Sequence, residues 1–347
     1  MKKTILPLLL PCIMVFVCIA SCQKTYNRTS DGTNTLPEVN IDQLFAELRS
    51  TPQTYMVTTG RDTTVYGEQG TAMHFYANSF KDASGNIITS GAVKVELTEM
   101  YKPGDMIRNR ATTTTTDDKI LQSGGEINIV ATMNGKEVFA NSYGLAFKQN
   151  APSSQPMELY YGSIDNSDAI LKWTIADGSG FIAATLDSTM HQDSAGIGIV
   201  GYYQNRRNHR PNGTPADSTT CTNRGCFYIF DTCKHFHQIN CDHFAGTPAS
   251  QLTGVSVVLP DNSFITMGSS TQRNTELFLV LPSINASIPF DIYRASASNT
   301  VGLSSGNKIP IGWNYEIAVV ANKNGQFYYW QTSGLSTSGL TVNAVMA

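Results

Sequence analysis

Ala92-Val93-Lys94-Val95-Glu96-Leu97-Thr98-Glu99-Met100 is the stretch that decides the fold. Along an extended chain Val93, Val95 and Leu97 point one way, and Lys94, Glu96 and Thr98 point the other. A period of two with one apolar and one polar face predicts a half-buried antiparallel strand. Upstream, residues 63–66 and 71–80 are β-prone, and Asp82-Ala83-Ser84-Gly85-Asn86 is a turn cluster. Downstream, Ser123-Gly124-Gly125 precedes Ile127 and Ile129, and Asn134-Gly135 is a two-residue hairpin signal. The pattern continues to the end of the chain. Leu171, Trp173 and Ile175 alternate, and residues 277–281 are wholly apolar, which suits a sandwich core. Residues 311–321 and 325–330 predict a hairpin across Asn324-Gly325. The one helical pattern is 41–49, capped by Asn40, with Leu44, Phe45 and Leu48 on one face. Thr112 to Thr116 is a run of threonine expected on an exposed loop or strand edge.

The expected architecture is all-β. Two β-sandwich-like domains follow a signal peptide, a flexible tether and one short helix. The boundaries expected are a signal at 1–21, a tether at 22–40, an N-terminal sandwich at 41–150 and a linker at 151–169. A C-terminal β domain at 170–347 carries a Cys/His-rich excursion at 221–243.

The N-terminus predicts the compartment. Lys2 and Lys3 precede an apolar run broken by Pro7 and Pro11, too short for a membrane span of ~20 residues. Ile19-Ala20-Ser21-Cys22 resembles a bacterial lipobox, in which the cysteine thiol accepts a lipid. An ordinary signal peptide cut near Ala20 is the alternative. Gln23 rather than Asp follows Cys22, which points to the outer membrane. The protein is thus expected to be lipid-anchored there, facing the periplasm or the cell surface.

Loss of the first 21 residues lowers the formal charge from −3 to −5. That excludes a basic nucleic-acid binder, because neutralising phosphates needs a cationic surface. A hydrophobic fraction of 41% argues against disorder.

Four of the seven cysteines, Cys221, Cys226, Cys233 and Cys241, fall in one window with His235, His237 and His243 beside them. In an exported protein an even number of cysteines predicts disulfides, here two stapling an exposed hairpin. Reduced structural thiols are a second reading. A third is a metal site. Cys233, His235, His237, Cys241 and His243 share one parity, and thiolate and imidazole are ligands for zinc and copper. The spacing is that of no recognised zinc finger.

Other chemistry is weaker. Glu96, Glu99 and Asp105 are carboxylates expected on a solvated face, and His74 is expected to be a half-buried strand residue. Arg206, Arg207, His209 and Arg210 could grip an anionic sugar or phosphate, but read more simply as a solvated loop. No P-loop or dinucleotide fingerprint is present. Phe327-Tyr328-Tyr329-Trp330 is an aromatic row suited to stacking on sugar rings, and also an ordinary strand.

Several phrases carry a resemblance. They are Gly67-x-x-Gly70-Thr71, Asn78-Ser79-Phe80, Ser123-Gly124-Gly125-Glu126, Ile239-Asn240-Cys241-Asp242-His243-Phe244, Ile309-Pro310-Ile311-Gly312 and Gly325-x-Phe327-Tyr328-Tyr329. Together they resemble a class of two-domain β-rich lipoproteins of Bacteroidetes-type bacteria. The first half is loosely similar to the β-sandwich domain of ankyrins and netrin receptors. The resemblance implies fold and compartment and carries no activity. The function expected is a non-catalytic envelope lipoprotein acting as a binding or structural module for a glycan or protein partner, with no cofactor. The alternative is a metal-binding protein or metal-dependent hydrolase using the 221–243 cluster.

Overall fold

The computed structural model describes residues 41–149, 157–164, 171–176, 185–187, 226–245, 251–264, 274–290, 299–303 and 307–346. The lipobox with Cys22, the tether, Cys221 and the Arg206–Arg210 run lie outside the described residues. The described part is mostly β-strand in several sheets, with two α-helices. This is the all-β class that the alternation at 92–100 predicts.

The first lobe is a sandwich. One sheet runs β1 (Gln53–Thr58), β5 (Ala92–Met100), β6 (Leu121–Met133), β14 (His237–Phe244), β10 (Glu158–Ile164) and β11 (Leu171–Ile175), with β7 (Lys136–Glu137) on β6. The other runs β12 (Thr185–Asp187), β13 (Cys226–Cys233), β9 (Tyr143–Gln149), β3 (Ala72–Phe75) and β2 (Thr63–Tyr66). A short ribbon pairs β4 (Phe80–Lys81) with β8 (Phe139–Ala140). Val93, Val95, Leu97, Ile127, Ile129 and Ile239 from the first sheet meet Met73, Leu145, Phe147 and Phe230 from the second in one core. Burying such side chains stabilises by ~1.5–3 kcal/mol each.

The second lobe has its own core. A sheet of β18 (Ala286–Pro289), β17 (Thr275–Leu281), β21 (Asn314–Lys323) and β22 (Gln326–Leu335) packs with β19 (Thr300–Gly302), β16 (Val255–Val258) and β23 (Leu340–Asn343). β16 and β23 are parallel, and β15 (Leu252–Thr253) pairs β20 (Ile309–Pro310). β17 is buried at all seven positions, the five of the apolar run 277–281 as expected and Thr275 and Glu276 besides. Both Asn-Gly signals are hairpin turns. Asn134 and Gly135 have φ of +52° and +74°, and Asn324 and Gly325 have +56° and +74°, the left-handed pair that a two-residue turn requires.

Strand pairing does not divide the chain at 151–169. β10 lies inside that expected linker and pairs with β14, and β14 pairs with β6. The strands from β10 to β14 therefore complete the first sandwich. The expected exposed excursion at 221–243 is instead, in its described part, two central strands from opposite sheets.

A further expectation fails: the threonine run is not exposed, because it lies between the edge of the first sheet at β11 and β18 of the second lobe. Thr112, Thr113, Thr114 and Thr115 are buried. On one side Thr113 N–H donates to Ser287 O at 2.8 Å, and on the other Trp173 N–H donates to Thr114 O at 3.0 Å. The Thr113 hydroxyl donates to Ser287 O at 3.2 Å and that of Thr112 to Leu171 O. The threonine run is thus a seam between the lobes, its hydroxyls satisfying what burial would otherwise leave bare.

A second helix, α2 (Pro103–Arg108), places Met106 on Met100, Leu121, Tyr160 and Trp173 under that seam. Pro103 at its start is its one sequence signal, since six residues are too few for a helical period. The first helix, α1 (Ile41–Leu48), forms where expected but seats Ile41 and Phe45 on Phe278 of the second lobe. Arg110 holds it there. Its guanidinium pairs with Asp42 and with Glu276 at 3.0 Å, and lies 4.7 Å from the centre of the Phe45 ring.

Candidate functional site

The lobes leave a cleft of about 280 Å³ beside the seam. Asp118, Lys119 and Ile120 reach it from the loop before β6, and Phe244 and Ala245 from the end of β14. Leu281, Ile284, Lys308, Pro310 and Trp313 form the opposite wall. The volume is near the ~300 Å³ lower end of small-ligand sites.

Its chemistry is amphipathic. Trp313 is half-buried, its backbone N–H donating to Ser336 Oγ at 3.0 Å while Ser336 N–H donates back to its carbonyl at 2.9 Å. Phe244 is 41% exposed, large for an aromatic ring, and sits edge-on to Tyr160 at 6.1 Å. Lys119 lies over the Phe244 ring, 4.9 Å from its centre, and also reaches Asp117 at 2.8 Å. Lys308 is exposed at the rim. Asp118 is engaged by Lys172 at 3.2 Å, as Lys119 is by Asp117, and the ammonium group of Lys308 adds a further positive charge at the rim.

Further along the same strands is a buried polar knot. Glu126 on β6 and Asn240 and Asp242 on β14 are fully buried. The Asn240 amide donates to Asp242 Oδ2 and, at 3.4 Å, to Glu126 Oε1, while its own oxygen accepts from Ser123 Oγ at 3.1 Å. Burial, and then the charge of Asp242, push the Glu126 carboxyl well above the usual carboxylate range. Burial pushes Asp242 the same way, against hydrogen bonds from Ser123, Gly124 and Asn240. The preceding glycines make the knot possible. Gly125 has φ +136° under the Tyr101 ring, and a Cβ on Gly124 would stand 2.9 Å from Cys241 O.

The cysteine window is not one site. The chain crosses from the five-stranded to the seven-stranded sheet at residues 234–236, so parity counted along a single strand breaks there. Phe236 plugs the crossing against Phe75, Phe80 and Tyr143. Cys233 and Cys241 are buried free thiols, not disulfide partners. Burial pushes both thiols up, away from the thiolate a metal needs. His235 is exposed against the Tyr161 ring at 4.5 Å, and His237 is exposed with Nε2 2.7 Å from Glu137 Oε1. His243 turns Nδ1 to Phe244 O at 2.8 Å. Among the described residues no three His, Cys, Asp or Glu side chains gather to hold an ion. Nothing is described for the side chain of Cys226. Native-state alkylation with peptide mapping should leave Cys233 and Cys241 unlabelled. Denaturant without reductant should expose both, and persistent protection then would mean a disulfide.

No family model matches the chain. No curated protein matches it either. Function therefore has to be read from the chemistry of its own surfaces.

Glu99, expected on a solvated face, and His74, expected to be half-buried, are both buried structural groups. Glu99 is buried and accepts N–H bonds from Gln69 at 2.8 Å and Thr71 at 2.9 Å, with the Gln53 amide at 2.8 Å. It clamps the Gly67–Thr71 turn, and Gly67 lies so close that a Cβ there would meet the carboxylate at 2.5 Å. His74 is buried, not half-buried, with Nδ1 2.7 Å from Thr64 Oγ1 and Nε2 3.8 Å from Asp62 Oδ2. Of the other carboxylates, Glu96 pairs Lys94 at 2.8 Å and Asp105 pairs Arg108. The residues that line the cleft, Leu252 among them, come from five separated segments. The only signals in the sequence were the phrases ending in Phe244 and containing Pro310.

Proposed function

We propose that this chain is a non-catalytic binding module of the cell envelope, an outer-membrane lipoprotein anchored through Cys22, whose interlobe cleft takes a short acidic glycan. The observation that carries the proposal is the pairing of Trp313 and exposed Phe244 with the rim ammonium groups of Lys119 and Lys308. A flat π surface suits the apolar face of a sugar ring, and an ammonium beside it suits a carboxylate or sulfate substituent. The lobes behind the cleft are fixed by the threonine seam and by Arg110, so the site is largely preformed and ordering costs are low.

Calorimetric titration of the Cys22→Ser chain against acidic and neutral oligosaccharides tests this. Acidic members should bind and neutral ones should not. Trp313→Ala should weaken binding about tenfold, ~1.4 kcal/mol, and Lys308→Glu should weaken it most at low salt. Equal binding of neutral and acidic sugars, or indifference to both substitutions, would contradict the proposal.

A further inference from the structure

β22 is the outermost strand of the second lobe's four-stranded sheet. Among the described residues no strand pairs with its free edge. It is ten residues long, Gln326-Phe327-Tyr328-Tyr329-Trp330-Gln331-Thr332-Ser333-Gly334-Leu335, with no charge and no proline. Its register with β21 is unbroken from Lys323↔Gln326 to Asn314↔Leu335, so no bulge blunts it. These are the devices that usually keep edges from pairing, and all are missing.

The hydrogen-bonding parity of the edge follows from the turn. Asn324-Gly325 is a two-residue turn, so Lys323 and Gln326 form its bonded closing pair. The even-numbered residues of β22 then bond to β21. Ser336 continues that parity, exchanging bonds with Gly312 and Trp313. The odd-numbered residues, Phe327, Tyr329, Gln331, Ser333 and Leu335, therefore turn their N–H and C=O groups outward. Their side chains lie on the exposed face, with Phe327, Tyr329 and Leu335 at 37%, 51% and 61%.

This edge is complementary to itself. An antiparallel copy centred on Gln331 sets Gln331 opposite Gln331, Tyr329 opposite Ser333 and Phe327 opposite Leu335. Every outward N–H then meets an outward C=O. The two apolar ends cover each other, and no like charges oppose the pairing. We propose that two copies of this chain associate through β22, antiparallel about a two-fold axis at Gln331, joining their sheets into one. The contact is isologous, as most closed dimers are. A second copy is preferred to a charged partner because the strand offers no charge to complement.

The test uses the Cys22→Ser chain, so that no lipid can associate the molecules. Sedimentation over a concentration series should show a monomer–dimer equilibrium. Gln331→Pro should abolish the dimer while keeping the fold, because this N–H faces outward and is not part of the β21 ladder. Tyr329→Lys should do the same by placing a lysine on the edge. Register is read by cross-linking. Opposed bonded residues have Cα atoms ~5.5 Å apart, within the range of a disulfide. Gln331→Cys should therefore yield an oxidised dimer above the parent chain, and Tyr329→Cys, facing Ser333, should not. Monomer at every concentration, a dimer unmoved by both edge substitutions, or equal cross-linking at 329 and 331 would each overturn the proposal.

Discussion

Glu126→Gln and Asp242→Asn should each make the protein more stable at pH 8, and the gain should shrink as the pH falls. Both carboxyls are fully buried, and no cation is among the causes that shift them. Their folded pKa values are raised, by burial and for Glu126 also by Asp242, while the unfolded chain titrates near ~4. Between those limits the native state holds more protons than the unfolded one, so stability falls as pH rises. Below ~4 both states are protonated and the favourable contribution is complete. An amide in place of either acid removes the cost of ionising it while keeping an oxygen for Asn240 to reach. Each substitution should therefore raise the melting temperature at pH 8 and raise it less at pH 5. Thermal melts of the wild type and both variants at pH 5 and pH 8 measure it. Variants less stable than wild type at pH 8 would show that these carboxylates are compensated in the native state.

The second large effect is at Trp173. It heads the largest fully buried side chains and stacks beneath the seam with Met106, Leu121 and Tyr160. Its indole N–H donates to Thr112 O, and its backbone bonds Thr114 and Thr116. Trp173→Ala removes the packing and leaves the Thr112 carbonyl without its donor. Core Trp→Ala changes cost ~3–5 kcal/mol, a large share of the ~5–15 kcal/mol that holds a domain together. A steep fall in melting temperature is expected. Trp173→Phe keeps most of the volume and loses the hydrogen bond, for ~1–2 kcal/mol. Denaturant titration followed by far-UV dichroism compares the two. Equal losses would mean that the hydrogen bond, and not the packing, fixes Trp173.

What was legible in the sequence was local. The alternation at 92–100, the apolar run of β17 and both Asn-Gly turns are set by neighbours in the chain, and each forms where expected. The pairing of β6 with β14 joins segments more than a hundred residues apart, and no local pattern encodes it. That pairing places Cys233 and Cys241, expected on an exposed excursion, in the sandwich core. Burial of the threonine run, Glu126 and Asp242 was hidden for a related reason. A polar residue on the outward parity of a strand reads as solvated unless a second lobe covers that face. The cleft was least legible, since Phe244 and Trp313 meet only through the docking of the two lobes.

The most direct measurement is hydrogen–deuterium exchange of the Cys22→Ser chain with and without the acidic oligosaccharide that binds most tightly. Ligand in the cleft should slow exchange in peptides spanning 118–120, 244–245 and 308–313, and Trp313→Ala should erase that protection. Protection confined to 327–335, or none at the cleft walls, would contradict the assignment of the interlobe cleft as the binding site.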